Sequence, residues 1–455
     1  MRDKKAGKKF VRMVVGGLLG VLLIAGIWCL AVNMEGGDPA VTFSGFSDFI
    51  GSSSGFSVTV SDDQSGVKSI WIGLLADGKE YTLADKTFPP SENGSSEQLP
   101  VEIDPKALGI KDGTAMLRVV AVDHSWRGWM KGNRTYVEKP LTIDTRRPDV
   151  QVLSRQHYIN QGGSGLVIYR VGEPDTRSGV QVGDDFYPGY AGSFSDPSIY
   201  MAFFAVRHDQ GKGTKIHVTA TDRAGNAGVA GFYFLIKSKQ FINDRLNIPD
   251  SFLNMKMPEF QMPGHYETTV DKFIAVNSDL RRENVETIRR ACKETESVLH
   301  WKGSFLRLPN SARKAGFADH RDYYYKGRKI DEATHMGIDL ASLANSDIPA
   351  ANTGRVVFGD RIGIFGRTVI IDHGFGLFTM YSHLNQIDVS PGQMVNRGDI
   401  IGRTGISGLA GGDHLHFGMI VGHTFVNPVE WWDASWINNN ITAKIEAISA
   451  SIASR

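Results

Sequence analysis

The hydrophobic pattern changes character along this chain, and each change predicts a different element. An uncharged run from Met13 to Val32 follows Arg2, Lys4, Lys5, Lys8, Lys9 and Arg12; about 20 apolar residues suffice to span a bilayer as a helix. From residue 34 to 240 the period falls to two, as in Phe56-Ser57-Val58-Thr59-Val60, Ile70-Trp71-Ile72 and Leu117-Arg118-Val119-Val120-Ala121, with Gly, Asp and Ser between the runs. That alternation predicts half-buried strands joined by tight turns. Pro249, Pro258 and Pro263 with Met255, Met257 and Met262 then mark a linker. After it, Val285, Ile288, Cys292, Thr295 and Leu299 fall on one face of a helix that Asn277 or Ser278 can cap, with Asp279 in its first turn. Short strands return up to residue 433. Finally Ile437, Ile441, Ile445, Ile448 and Ile452 recur every three to four positions, the pattern of an amphipathic helix packing on its own domain or on a partner helix.

The β region contains an internal echo. Asp63-Gln64-Ser65-Gly66-Val67 is matched by Asp175-Thr176-Arg177-Ser178-Gly179-Val180, and Val120-Ala121-Val122-Asp123 by Thr219-Ala220-Thr221-Asp222. The copies lie roughly 100 to 113 residues apart, the size of one immunoglobulin-like sandwich. Asp222-Arg223-Ala224-Gly225-Asn226 is similar to the closing turn of bacterial Ig-like modules; the first copy departs from it with His124-Ser125-Trp126-Arg127-Gly128. The bland reading makes these modules spacers that hold the C-terminal domain off the membrane; specific binding is the alternative. A mainly β, multidomain chain is expected: a basic cytoplasmic tail over 1–12, a transmembrane anchor over 13–33, Ig-like sandwiches over 40–145 and 146–238, a linker with an amphipathic helix over 239–300, a further β domain over 301–433 and a C-terminal amphipathic helix over 434–455. A cleaved signal peptide is the alternative to the anchor, but the apolar run exceeds the usual apolar region of one and no clean Ala-x-Ala follows. The basic flank stays in the cytoplasm, so the bulk of the chain is expected on the periplasmic, extracytoplasmic side of the inner membrane.

Composition adds little and excludes some classes. The 455 residues carry a net charge of +1, so no pull toward nucleic acid is implied. The 51 glycines and 41% hydrophobic content suit turn-rich β structure. Cys29 and Cys292 are the only cysteines and give no disulfide framework; Cys292, on the apolar helix face, reads as a small core residue.

The candidate chemistry lies in the last third. His335-Met336-Gly337-Ile338-Asp339, Met380-Tyr381-Ser382-His383-Leu384 and His414-Leu415-His416 bring four His and one Asp into a short span. A spacing of four puts His335 and Asp339 on one face of an extended strand, and the same parity places His414 and His416 together with Leu415 turned into a core. Each string alone is more often a coincidence than a metal site. In this order, with Gly402-Arg403-Thr404-Gly405-Ile406-Ser407-Gly408 between them, they resemble the lysostaphin-type (LytM-type) zinc metallopeptidases, which cut peptide bonds of peptidoglycan. Ala350-Ala351-Asn352-Thr353-Gly354-Arg355-Val356-Val357, Val369-Ile370-Ile371-Asp372-His373-Gly374 and Val389-Ser390-Pro391-Gly392-Gln393-Met394-Val395 match supporting strands and a turn, so the resemblance covers residues 330–433.

The resemblance implies an antiparallel β-sheet with a groove, a Zn²⁺ held by His335, Asp339 and His416, and His383 and His414 as the pair that handles protons and stabilises the oxyanion. It implies a metalloendopeptidase hydrolysing peptidoglycan cross-links through a zinc-activated water, with stem peptides as the partner. The rival reading is a non-catalytic regulator that binds and activates other wall hydrolases, or a scaffold whose Ig-like modules or C-terminal helix meet a protein partner. The complete set of ligand-type residues favours catalysis. Asp413 and Gly418 depart from the family pattern beside the site. His373 reads as structural, His423 as facing away, and His300 and His320 carry no motif. Tyr323, Tyr324 and Tyr325 either fill a strand or line the groove. No His-Glu-x-x-His occurs.

Overall fold

The computed structural model describes residues 3–90 and 94–454; the side chains of Arg2, Lys4, Lys5 and Lys8, the basic flank, lie outside those described. Helix Asp3–Asn33 contains the apolar stretch Lys9–Trp28, of mean hydropathy 2.3, with none of it buried against protein. It is long and apolar enough to be a membrane span or a signal sequence. The rest of the chain is mainly β.

Two compact units are present: residues 1–147 with 222–226, and residues 148–221 with 227–455. In the first, strands Ala40–Ser44, Ser54–Asp62 and Ser95–Ile103 form one sheet, and five strands led by Val67–Ala76 and Gly113–Asp123 form another. Alternation does the work predicted for it: Val58, Val60, Ile70, Ile72, Leu117 and Val119 are fully buried between the sheets. The two echoed strings occupy equivalent places. Val67–Ala76 pairs antiparallel with Gly113–Asp123, and Arg177–Val182 pairs the same way with Ile216–Thr221. The closing turn has a local cause. Asp222 accepts from Asn226 N at 2.8 Å and Asn226 Nδ2 at 2.9 Å, while Gly225 takes a φ of +83° that glycine adopts freely.

The second unit joins the echoed module to the peptidase-like sheet through one continuous core. Leu166, Phe203 and Phe204 belong to the same buried cluster as Phe305, Phe378, Phe417 and Trp431. Each such side chain, fully buried, contributes about 1.5–3 kcal/mol. Polar contacts fix the alignment: Tyr187 Oη lies 2.8 Å from Thr424 Oγ1 in the interior, and Tyr190 stacks on Phe375. The helical tail packs here too. Ile437 and Ile441 are buried, and Lys444 Nζ donates to Leu166 O at 3.3 Å.

Glu430, buried at the same seam, accepts from Ser164 N at 3.1 Å and Asn160 Nδ2 at 2.7 Å. Burial raises its pKa from 4.5 to about 7, against the pull of those hydrogen bonds. The folded state therefore keeps a proton that an unfolded glutamate releases earlier, so this group's contribution is present at low pH and lost as pH rises from 4.5 to about 7. Glu430→Gln removes that titration. Urea unfolding at about pH 5 and about pH 8 should show the variant gaining on wild type by about 3 kcal/mol; an unchanged difference contradicts it.

The linker departs from the sequence expectation. Its helix starts at Thr268, whose hydroxyl accepts from Asp271 N in a capping box, and runs through Thr269–Ala275, a π turn at Val276–Leu280 and Arg281–Ala291. Asn277 is therefore an interior residue, buried and donating to Asp331 at 2.7 Å, rather than a cap. The helix stops at Cys292; Thr295 and Leu299 lie beyond it, and Thr295 Oγ1 instead donates to Asp372 at 2.8 Å. Cys292 is buried as expected, and its pKa is raised chiefly by that burial.

Candidate active site

The catalytic-type residues sit on an antiparallel sheet running Ala312–Ala315, Ile338–Ala341, Leu415–Val421, Leu377–Leu384, Gly366–Asp372, Gly354–Ile362 and Met394–Val395. Asp339 is directly opposite His416, and His416 is directly opposite Ser382. Directly paired residues share a face, so register alone brings Asp339 and His416 together. His335 arrives differently. Strand Arg328–Thr334 ends just before it, and the chain bends at Met336–Gly337 before Ile338–Ala341 begins. The expected single strand from His335 to Asp339 is thus broken, because the His416 ring occupies the space above Gly337. A Cβ built on Gly337 would lie 2.5 Å from His416 Nε2.

Three atoms meet at nearly equal spacing. His335 Nε2, His416 Nδ1 and Asp339 Oδ1 are each 3.0 Å from the other two, and all three residues are buried. His335 Nδ1 donates to Gly316 O at 2.8 Å, which leaves Nε2 to face the triangle. Lone pairs this close repel unless a cation lies among them. Tetrahedral zinc with bonds near 2.0 Å sets its ligands about 3.3 Å apart, close to this spacing. The residues fit a zinc ion. Burial opposes charge on Asp339, but bonds and charges from His335, His414 and His416 outweigh it and hold its carboxyl well below the usual range. Its other oxygen, Oδ2, accepts from Arg321 Nη2 at 3.0 Å, which leaves Oδ1 for the cluster. Gly337→Ala should push the His416 ring aside and weaken zinc binding roughly 10- to 100-fold. Competition with a chromophoric chelator reads this; wild-type affinity would refute the steric account.

His383 and His414 complete the group. Strand alternation after Ser382 would send His383 to the opposite face, but its φ of +65° reverses the side chain. The ring then lies 4.8 Å from the His414 ring and 5.8 Å from that of His416, with Nδ1 donating to Ser407 O at 2.8 Å. A left-handed backbone at a non-glycine residue costs about 1–3 kcal/mol and concentrates at functional positions. Burial, then His414 and His416, push the His383 pKa well down. Burial disfavours the charged form of His414 too, but the Asp339 carboxylate outweighs it and raises that pKa. His414 Nδ1 donates to Gly412 O at 2.8 Å, and its Nε2 lies 3.5 Å from Asp339 Oδ1.

A cavity of about 530 Å³ opens over His383, His414 and the triangle, walled by Tyr323, Phe365 and, from the linker, Ile248, Phe252 and Met255. The linker is pinned there by Lys256, whose fully buried Nζ donates to Ile406 O at 2.5 Å and Glu259 at 2.8 Å. Tyr323 lines the groove, whereas Tyr325 donates to Asp250 at 2.8 Å and Tyr324 stacks under Arg245. His373 is a satisfied core residue bonded to Thr353 O and Thr379 Oγ1. His423, expected to face away, stands in the turn after Val421 and lines a second cavity beside His416. His300 pairs with Glu296, and His320 lies 3.3 Å from Asp322. Arg321 and Gly337 were not singled out by sequence reading. The first carries no motif, and the second signals its role only by lying between the first His and the Asp.

Residues 333–428 match Peptidase family M23. Over 95 residues the chain is 36% identical to the DD-carboxypeptidase/endopeptidase Mpg of Neisseria meningitidis, covering 21% of this chain and 22% of that protein. It is 37% identical over 98 residues to the peptidoglycan DD-endopeptidase ShyA of Vibrio cholerae, covering 22% and 23%. The chain thus spans under a quarter of the length of these relatives. The solved catalytic domain of the antimicrobial peptidase lysostaphin from Staphylococcus simulans is 23% identical, with 29% of this chain and 98% of that one covered and a TM-score of 0.24. Residues 333–428 therefore carry a Peptidase family M23, LytM-type domain.

Proposed function

We propose that this protein is a membrane-anchored zinc endopeptidase that hydrolyses the peptide cross-links of peptidoglycan. The observation that carries the reading is the buried triangle of His335 Nε2, Asp339 Oδ1 and His416 Nδ1, flanked by two further imidazoles. His335, Asp339 and His416 would hold the ion, a two-His, one-carboxylate set that leaves a position open. When bound, zinc supplies a Lewis acid and makes water nucleophilic near neutral pH. The remaining work falls to this chain. His383, its Nδ1 committed to Ser407 O, presents an uncharged Nε2 that accepts a proton. His414, favoured in its charged form by Asp339, stabilises the developing oxyanion or protonates the leaving amine. Arg321 fixes the orientation of Asp339.

The peptidoglycan substrate is supported by the names of the relatives and stays with the M23 domain that resembles them. The helix Asp3–Asn33 serves as a single-pass anchor in the inner membrane, with the bulk of the chain on the periplasmic side. Residues 40–145 and 146–238 are read as Ig-like sandwiches, residues 239–300 as the linker, 301–433 as the peptidase and 434–455 as its helical tail. The intact donor set speaks against a regulator without catalysis. Purified full-length protein should hold one zinc per chain and clear a peptidoglycan suspension, with clearing lost in chelator and restored by zinc. Stoichiometric zinc without any clearing would move the regulator reading ahead.

A further inference from the structure

The triangle lies at the junction of two cavities. The larger holds His383 and His414. The second, of about 260 Å³, shares His335, His416, Phe365 and Arg281 with it but contains neither of those two His. Both cavities therefore border the metal position. The second cavity is not built by the peptidase-like sheet alone. Asp185, Arg207 and His208 come from the module upstream, Arg281 and Arg289 from the linker helix, and His423 from the turn after Val421. Tyr187, two residues from Asp185, stacks on His423, and His423 Nε2 lies 3.2 Å from Asp185, so this wall is rigidly held.

Its charges are unbalanced. Three arginines face one aspartate among the lining residues, a surplus of two positive charges with His neutral. Arg207 is bound to Asp185 at 2.7 Å and to Asp209 at 2.9 Å, and Arg289 to Glu286 at 2.6 Å. Arg281 differs. Its Nε and Nη2 donate to Asn277 O at 3.0 Å and Asn277 Oδ1 at 2.6 Å, and among the described residues it forms no ion pair. Arg281 is half-buried, and the nearest carboxylate of its hydrogen-bond chain, Asp331, reaches it only through Asn277; a guanidinium without a directly bonded counter-ion is suited to a ligand that brings the charge. Asp339, the one carboxylate lining the larger cavity, is already paired with Arg321.

We infer that Arg281, the one arginine of the three without an acidic partner among the described residues, forms a subsite for a free carboxylate on the peptide next to the scissile bond. This rests on the peptidase reading above and extends it: the upstream module becomes part of the substrate cleft. Planar guanidinium groups bind carboxylates through paired hydrogen bonds, so the subsite selects acidic over amidated peptides.

The test uses the full chain in detergent with chelator present, so that binding is read without turnover. The probes are a fluorescently labelled peptidoglycan stem peptide with free carboxylates and the same peptide with them amidated. Wild type should bind the acid roughly tenfold tighter than the amide. Arg281→Met should bring that ratio toward one and leave the amide's Kd unchanged, a pattern that general unfolding does not produce. Equal Kd values in wild type, no binding of either peptide, or a ratio that survives the substitution overturns the subsite. The zinc-loaded chain separates the two claims. Acid selectivity without cleavage of cross-linked peptide removes the peptidase reading and leaves the subsite, whereas cleavage without selectivity does the reverse.

Discussion

Asp339→Ala is expected to lose both bound zinc and hydrolysis, and it is the most damaging single change available at the site. Asp339 Oδ1 is one corner of the triangle, 3.0 Å from each imidazole nitrogen, and Oδ2 is the partner of Arg321. Removing the carboxylate takes away a ligand, its negative charge and the counter-ion of Arg321 together. The arginine is then left beside the metal position as an uncompensated cation. Two imidazoles facing that repulsion do not make a zinc site. Elemental analysis after dialysis should find zinc near zero, and cross-link hydrolysis should fall to background. His335→Ala and His416→Ala should behave alike. Activity retained by Asp339→Ala would remove the ligand assignment.

The second large effect separates chemistry from binding. His383→Ala and His414→Ala should keep zinc at one per chain and lose turnover by about 10²- to 10⁴-fold, the range of a lost proton-transfer group. Neither ring is a corner of the triangle. Their ring centres lie 4.8 Å apart on the side where the larger cavity opens. The φ of +65° at His383 strengthens its case, since a residue with only a packing role has no need of it. KM should change much less than kcat, because substrate is held chiefly by the cavity walls. Zinc lost together with activity in either variant would place that residue in the metal set instead.

The motif strings made the site legible from sequence because antiparallel register turns sequence order into spatial proximity. Asp339 faces His416, and Leu415 points into the core, as parity requires. Parity failed where the backbone leaves the strand. The bend at Gly337 that carries His335 in, and the left-handed turn that carries His383 in, are set by neighbours distant in sequence, the His416 ring and the Ser407 carbonyl. Arg321 was hidden for the same reason. It stands on strand His320–Tyr325, and only folding brings it to Asp339. The start of the linker helix was misplaced because Asn277 is a good cap by type, whereas Thr268 and Asp271 make the reciprocal cap nine residues earlier. The upstream module read as a spacer, since alternation predicts strands without saying which sheet they pack against. Its Phe203 and Phe204 in fact belong to the core of the peptidase-like sheet.

The most direct measurement is mass spectrometry of purified cross-linked stem-peptide dimers incubated with full-length protein and zinc, beside the Asp339→Ala variant. Conversion of dimers to monomers by hydrolysis of the bridging peptide bond, stopped by chelator and absent from the variant, is the result expected of a zinc endopeptidase. Dimers left intact by a protein that carries its full complement of zinc would contradict it.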